Sequence, residues 1–184
     1  MKRRNFVINT LLSLPAVALA KFGDFKKSDR AKKAILIRAN ESRFDGEQKT
    51  VKDVIGRCVV SGADTDGELL IVAPGEKTFA FRGGPPLHIH KYQDEVFFVA
   101  SGEFLIQIDK EVVTVNTGDT VFIPRGVPHT FANPIENNPG SLLSIHQPAG
   151  KNEAFFKYLC TYEKMPDYEI DPDSPVVGAP IKLD

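Results

Sequence analysis

Three of the four histidines in this 184-residue chain fall in two short segments, and one carboxylate accompanies them. The first segment runs Gly83-Gly84-Pro85-Pro86-Leu87-His88-Ile89-His90, then four residues, then Glu95, then six residues, then Gly102. The second runs Gly118, five residues, Pro124-Arg125-Gly126, two residues, His129, three residues, Asn133. In an extended strand alternate side chains share a face, so His88 and His90 point the same way. Lys91 to Asp94 allow a turn that returns Glu95 beside the pair, and His129 arrives from the other segment. Three imidazoles and one carboxylate suit a first-row divalent ion: Fe, Mn, Ni, Co, Cu or Zn. Such a set leaves coordination positions open for water or substrate.

Each member has a plainer reading when taken alone. A single His-x-His pair occurs often without a metal, and Glu95 alone could be a surface carboxylate. Asp94-Glu95, however, leads directly into the apolar run Val96-Phe97-Phe98-Val99, and alternation puts Glu95 on one face with Phe97 and Val99. A carboxylate turned toward a core needs a partner. His129 likewise shares a face with Phe131 and Asn133. The remaining histidine, His146, ends an apolar run and is expected on the surface or rim, outside the ligand set.

The elements that must position these residues are short strands. From about Arg57 the chain is a succession of brief apolar runs: Cys58 to Ser61, Glu68 to Ala73, Thr78 to Arg82, Leu87 to His90 and Glu95 to Ala100, then Glu103 to Asp109, Val112 to Val115, Thr120 to Ile123, Thr130 to Asn133 and Ser141 to His146. Turn residues separate them, with Ser101-Gly102 and Gly118-Asp119 read as hairpin turns. This rhythm, without long helical patterns between, predicts an all-β sandwich or closed barrel over residues 55–150. An earlier strand is expected at Ala34 to Arg38, inside a polar N-terminal stretch of residues 21–54. One helix is expected, capped by Asn152 and running Glu153 to Tyr162, with Phe155, Phe156, Leu159 and Cys160 toward the barrel. Residues 165–184 read as an extended tail that crosses a neighbouring subunit if the chain forms a homodimer.

Composition is that of an ordinary folded domain, 42% hydrophobic and 26% charged, with a net charge of -1. No block of Lys and Arg suggests a nucleic-acid partner. At the start, Lys2-Arg3-Arg4 precedes an apolar stretch, Phe6 to Ala20, ending in Ala18-Leu19-Ala20. This predicts a cleavable export segment over residues 1–20 and a periplasmic or secreted mature protein. Arg3-Arg4 fits a twin-arginine signal, and an ordinary secretory signal is the second reading. The stretch is shorter than the roughly 20 apolar residues of a spanning helix, so no stable membrane anchor is expected. The two cysteines, Cys58 and Cys160, permit either one disulfide or two buried thiols.

The two segments resemble the motifs of the cupin superfamily. Its first motif is a glycine, about five residues, His-x-His, three or four residues, Glu, six residues and Gly. Gly83 stands one residue nearer than that pattern, and the other positions fit. The second motif matches at Gly118, Pro124, Gly126, His129 and Asn133. The resemblance implies a double-stranded β-helix, or jelly-roll, barrel and gives His88, His90, Glu95 and His129 the ligand roles. More narrowly, Pro85 to Glu95 and Pro124 to Phe131 look like single-domain (type-2) cupins of the quercetin 2,3-dioxygenase kind. In that family a flavonol binds the metal and O2 cleaves its ring. That likeness implies a metal-dependent dioxygenase on a small aromatic or enolic substrate, with Glu95 as ligand and base and with Phe97 and Phe131 as pocket walls. An isomerase or decarboxylase on the same barrel, and a non-catalytic binding module, are the other readings, because fold does not fix function.

Overall fold

A computed structural model of the chain describes residues 30–75, 82–138, 140–162 and 173–184. Residues 1–20, expected as an export segment, most of the run Thr78 to Arg82 and tail residues 165–172 lie outside the described residues. Two small strands, β1 (Glu41–Ser42) and β2 (Lys49–Thr50), pair with each other near the start. The strand expected at Ala34 to Arg38 does not form; that stretch is irregular and mostly exposed, so its apolar residues have no sheet to join.

Eight further strands follow: β3 (Gly56–Val60), β4 (Leu70–Pro74), β5 (Asp94–Ser101), β6 (Glu103–Ile108), β7 (Glu111–Asn116), β8 (Thr120–Ile123), β9 (His129–Ala132) and β10 (Ser141–Gln147). They form two sheets, ordered β3-β4-β10-β5-β8 and β7-β6-β9. Facing side chains fill the space between the sheets. Phe97, Val99, Ile123 and Leu142 come from the larger sheet and Phe104, Ile106 and Val115 from the smaller. This is the all-β, double-sheet barrel that the strand rhythm predicts.

The connections at Gly102 and Gly118 are not hairpins. β5 pairs with β8 and β10, whereas β6 pairs with β7 and β9, so each glycine sits where the chain leaves one sheet for the other. The β6–β7 ribbon thus continues around the corner as the β5–β8 pair, which closes the barrel. Gly102 has φ 82, and a Cβ there would come within 2.6 Å of Gly140 Cα. That corner therefore needs glycine on both conformational and steric grounds.

Residues 83–88 extend the smaller sheet through isolated bridges rather than a full strand, Gly83 to Asn133 and His88 to His129. Gly84 lies so close to β9 that a Cβ would overlap Phe131 O at 1.8 Å. The end segment 173–184 then runs along the other side of residues 87–91 of this same chain, with His88 bridged to Val176. Its described part therefore completes this barrel instead of extending across to a neighbouring subunit.

The helix α1 (Asn152–Tyr162) lies where expected and covers the inner face of β3 and β4. There Cys58, Leu70, Val72 and Ala149 form a second buried cluster with Phe44 and Phe156. Glu153 anchors the helix, accepting hydrogen bonds from Ser61 Oγ (2.6 Å), Asp45 N (2.7 Å) and Gly62 N (2.8 Å). Cys58 and Cys160 are free thiols. Burial raises both, Cys160 to about 11. Among the described residues no helix is long and apolar enough to cross a membrane.

Candidate metal centre

Strand register places the candidate ligands on facing walls. On the larger sheet a row of directly paired residues runs Leu70, His146, Glu95, Ile123 across four strands. The next row on the same face runs Val72, Ser144, Phe97, Val121. On the smaller sheet Ile108 pairs with His129, which bridges to His88. His90 follows two residues on and shares that face. The loop Pro124 to Pro128 is held against this end by Gly126 N donating to His90 O at 2.7 Å and by Arg125 paired with Asp94. Arg125 holds the Asp94 carboxyl at about 2, below its ordinary range.

All four expected ligands converge and are buried. One donor atom from each of His88, His90, Glu95 and His129 lies within 4.8 Å of the others. Two donors at about 2.1 Å from a common ion are at most about 4.2 Å apart, so small adjustments bring the set onto one ion. Glu95 Oε2 lies 2.8 Å from His129 Nε2 and 3.2 Å from His90 Nε2.

The opposite ring nitrogens show how the imidazoles are aimed. His88 Nδ1 faces Pro86 O and His129 Nδ1 faces Val127 O, each at 2.8 Å. A carbonyl only accepts, so both Nδ1 atoms carry hydrogen. Each Nε2 lone pair is thereby free to face the centre, as metal-ligating histidines require. His90 Nδ1 meets Ser174 Oγ at 2.9 Å. The donor chemistry therefore fits one divalent ion held by three Nε2 atoms and Glu95 Oε2.

Protonation without a metal follows from the same contacts. Burial works against a charge on Glu95, but the His146, His129 and His90 rings around it outweigh that cost and hold its carboxyl well below the usual range. Burial also opposes a charged His129, yet its hydrogen bond and charge interaction with Glu95 raise the ring above its ordinary value. His88 is pushed down to about 4 by burial and by His129 and His90 beside it. One proton between His129 and Glu95 thus occupies the place a cation would take.

His146 is not on the rim. It is 1% exposed, its Nε2 is 3.6 Å from Glu95 Oε1, and burial pushes it down to about 4. It belongs to a directed chain of hydrogen bonds. Ser144 Oγ donates to Glu95 Oε1. Its one hydrogen is then used, so His146 Nε2 donates to Ser144 Oγ at 2.7 Å. His146 Nδ1 is left as an acceptor for Asn152 Nδ2 at 2.9 Å. Asn152, expected as a helix cap, instead turns its side chain to the site, because that amide is the donor a buried neutral His146 needs. Ser144 and His146 alternate onto one face in sequence, but only the pairing with β5 identifies that face as the ligand wall. Ser174 carried no sequence signal. Phe97 packs beneath the ligands, 6.2 Å from His129 and 5.7 Å from Phe131 between ring centres.

Parts of the chain are similar to known proteins. The model of the cupin domain family matches residues 68–146. A protein of Methanocaldococcus jannaschii, described only as uncharacterized, is 34% identical over 45% of this chain and 60% of its own length. Quercetin 2,3-dioxygenase of Bacillus subtilis is 24% identical over 62% of this chain and 32% of its own. The chain therefore spans less than two thirds of each of these relatives. An RmlC-like cupin crystal structure from Shewanella frigidimarina shares 24% identity over 53% of this chain and 78% of that one, with a TM-score of 0.40. Residues 68–146 of this chain match the cupin domain family, and they make up most of the double-sheet barrel.

Proposed function

We propose that this protein is an exported metal-dependent dioxygenase that acts on a small aromatic or enolic substrate, in the manner of quercetinases. The observation that carries the reading is the buried three-histidine, one-carboxylate set beside the aromatic pair Phe97 and Phe131. The partial likeness to quercetin 2,3-dioxygenase supports it. When bound, a divalent metal supplies Lewis acidity toward a substrate hydroxyl and, if redox-active, a path for electrons to O2.

The chain's own residues do the rest. Glu95 turns Oε2 to the centre and takes the substrate hydroxyl proton there, while Ser144 occupies Oε1. Phe131, half-buried, forms a wall for an apolar ring, and Phe97 forms the floor beneath it. Lys2-Arg3-Arg4 and the apolar stretch to Ala20 support export to the periplasm or beyond. The partner is a small molecule rather than nucleic acid, together with a second copy of the chain in a homodimer, which sedimentation velocity reads directly.

The test is O2 consumption by fully metallated protein over a panel of flavonols, diols and enols. Turnover of at least one member is expected. No turnover on any of them overturns the dioxygenase reading, and undiminished turnover under argon reassigns the site to isomerase or decarboxylase chemistry.

A further inference from the structure

The segment 173–184 lies outside the matched cupin domain, yet one of its side chains reaches a candidate ligand. Its backbone is laced to the ligand-bearing stretch. Lys91 N donates to Asp173 O at 2.9 Å, Ile89 N to Pro175 O at 3.2 Å and Val177 N to Leu87 O at 2.8 Å. Lys151, in the turn before α1, pairs with Asp173 at 2.7 Å. Gly178 lies against Leu87, where a Cβ would stand 3.1 Å from Leu87 Cδ2. Ser174 is buried by this docking, with Oγ 2.9 Å from His90 Nδ1.

His90 needs such a partner for a local reason. His88 and His129 each hold Nδ1 against the carbonyl of the residue two positions earlier, Pro86 and Val127. The equivalent carbonyl for His90 is that of His88, and it accepts His129 N at 2.8 Å in the bridge between the two ligand segments. The backbone contact that orients the other two imidazoles is thus engaged in joining the site's halves.

We propose that Ser174 is a positioning residue of the metal centre. Its Oγ accepts the hydrogen on His90 Nδ1, fixes the tautomer and rotation of that ring, and so presents Nε2 to the ion. Residues 173–179 are then a working part of the site rather than a trailing tail. The inference rests on reading His88, His90, Glu95 and His129 as metal ligands.

The experiment titrates Co(II) into full-length protein, its Ser174→Ala and its Ser174→Thr variants, against a competing chromogenic chelator. Visible absorption of bound Co(II) and thermal unfolding of the metal-free forms are recorded alongside. Outer hydrogen bonds to ligating histidines are worth about 10–100-fold in metal affinity. Ser174→Ala is expected to weaken Co(II) binding about tenfold and to shift its ligand-field bands, while Ser174→Thr, which keeps the hydroxyl, restores both. Equal affinity and an identical spectrum in Ser174→Ala overturn the proposal. So does an affinity loss that Ser174→Thr shares and that follows lowered melting of the metal-free protein, since that would be a structural effect alone. Failure of the unaltered protein to take up Co(II) overturns the metal reading itself, and the two failures are thereby told apart.

Discussion

Two of the four candidate ligands are supported by neighbouring backbone and two by distant side chains. His88 and His129 lean on carbonyls two residues before them. His90 leans on Ser174, 84 residues away, and Glu95 on Ser144, 49 residues away, with His146 and Asn152 behind. A backbone acceptor comes with the chain's path and tolerates substitution of the residue that supplies it. A side-chain partner is lost with one mutation. The histidine pair bridged to each other along the smaller sheet is therefore built robustly, and the half holding His90 and Glu95 is the adjustable one.

The largest effect expected breaks the robust half at the ligand itself. His129→Ala removes a ligand and leaves Glu95 Oε2 without its shortest contact. Metal content by elemental analysis should fall from about one ion per chain to a small fraction of that, and His88→Ala should act likewise. Retention of a full equivalent by either variant would mean the ion is held elsewhere. In contrast, Ser144→Ala keeps every ligand and removes only remote support. It frees Glu95 Oε1 and strips His146 Nε2 of its acceptor, so affinity should drop about 10–100-fold in chelator competition. It should also destabilise the fold by about 1–3 kcal/mol for buried polar atoms left unpaired, read by denaturant unfolding.

That division also explains what could be read before folding. His88, His90 and Glu95 declare themselves because their spacing matches strand alternation and one turn within eight residues, and His129 because it sits in a second compact segment of its own. The barrel is equally visible, since short apolar runs between turn residues repeat along the chain. Gly102 and Gly118 illustrate the limit. A glycine needing positive φ looks the same in a hairpin and at a corner between sheets, and only the pairing partners of β5 and β6 distinguish them. His146 illustrates it again. At the end of an apolar run it could face either way, and register with Glu95 decides. Ala34 to Arg38 has strand-like residues but no neighbour to pair with, and local propensity is overridden.

Acidity should separate the two halves more gently. His129 is held above the ordinary histidine value of about 6.5, so below its raised value the metal must displace one proton from the His129–Glu95 pair. Apparent affinity should therefore rise with pH, about tenfold per unit, and flatten once pH passes that value. His88, pushed down to about 4, adds a second displaced proton only in more acidic solution. Calorimetry in buffers of different ionisation enthalpy measures the proton count. A count near zero at pH 6 would show that the metal-free site carries no shared proton.

The smallest effect is the sharpest check on the comparison. Pro86→Ala changes the residue that supports His88 but leaves its carbonyl, the group that accepts from His88 Nδ1. The substitution loosens φ at position 86 and relaxes the restriction on Pro85, a cost that falls mainly on unfolded-state entropy, about 0.4–1 kcal/mol. Metal affinity should change by less than about threefold, well below the range for lost outer contacts. If Pro86→Ala instead weakened binding as much as Ser144→Ala, the backbone support of His88 would depend on side-chain identity after all. The contrast between the two halves of the centre would then be one of sequence distance only, and not of robustness.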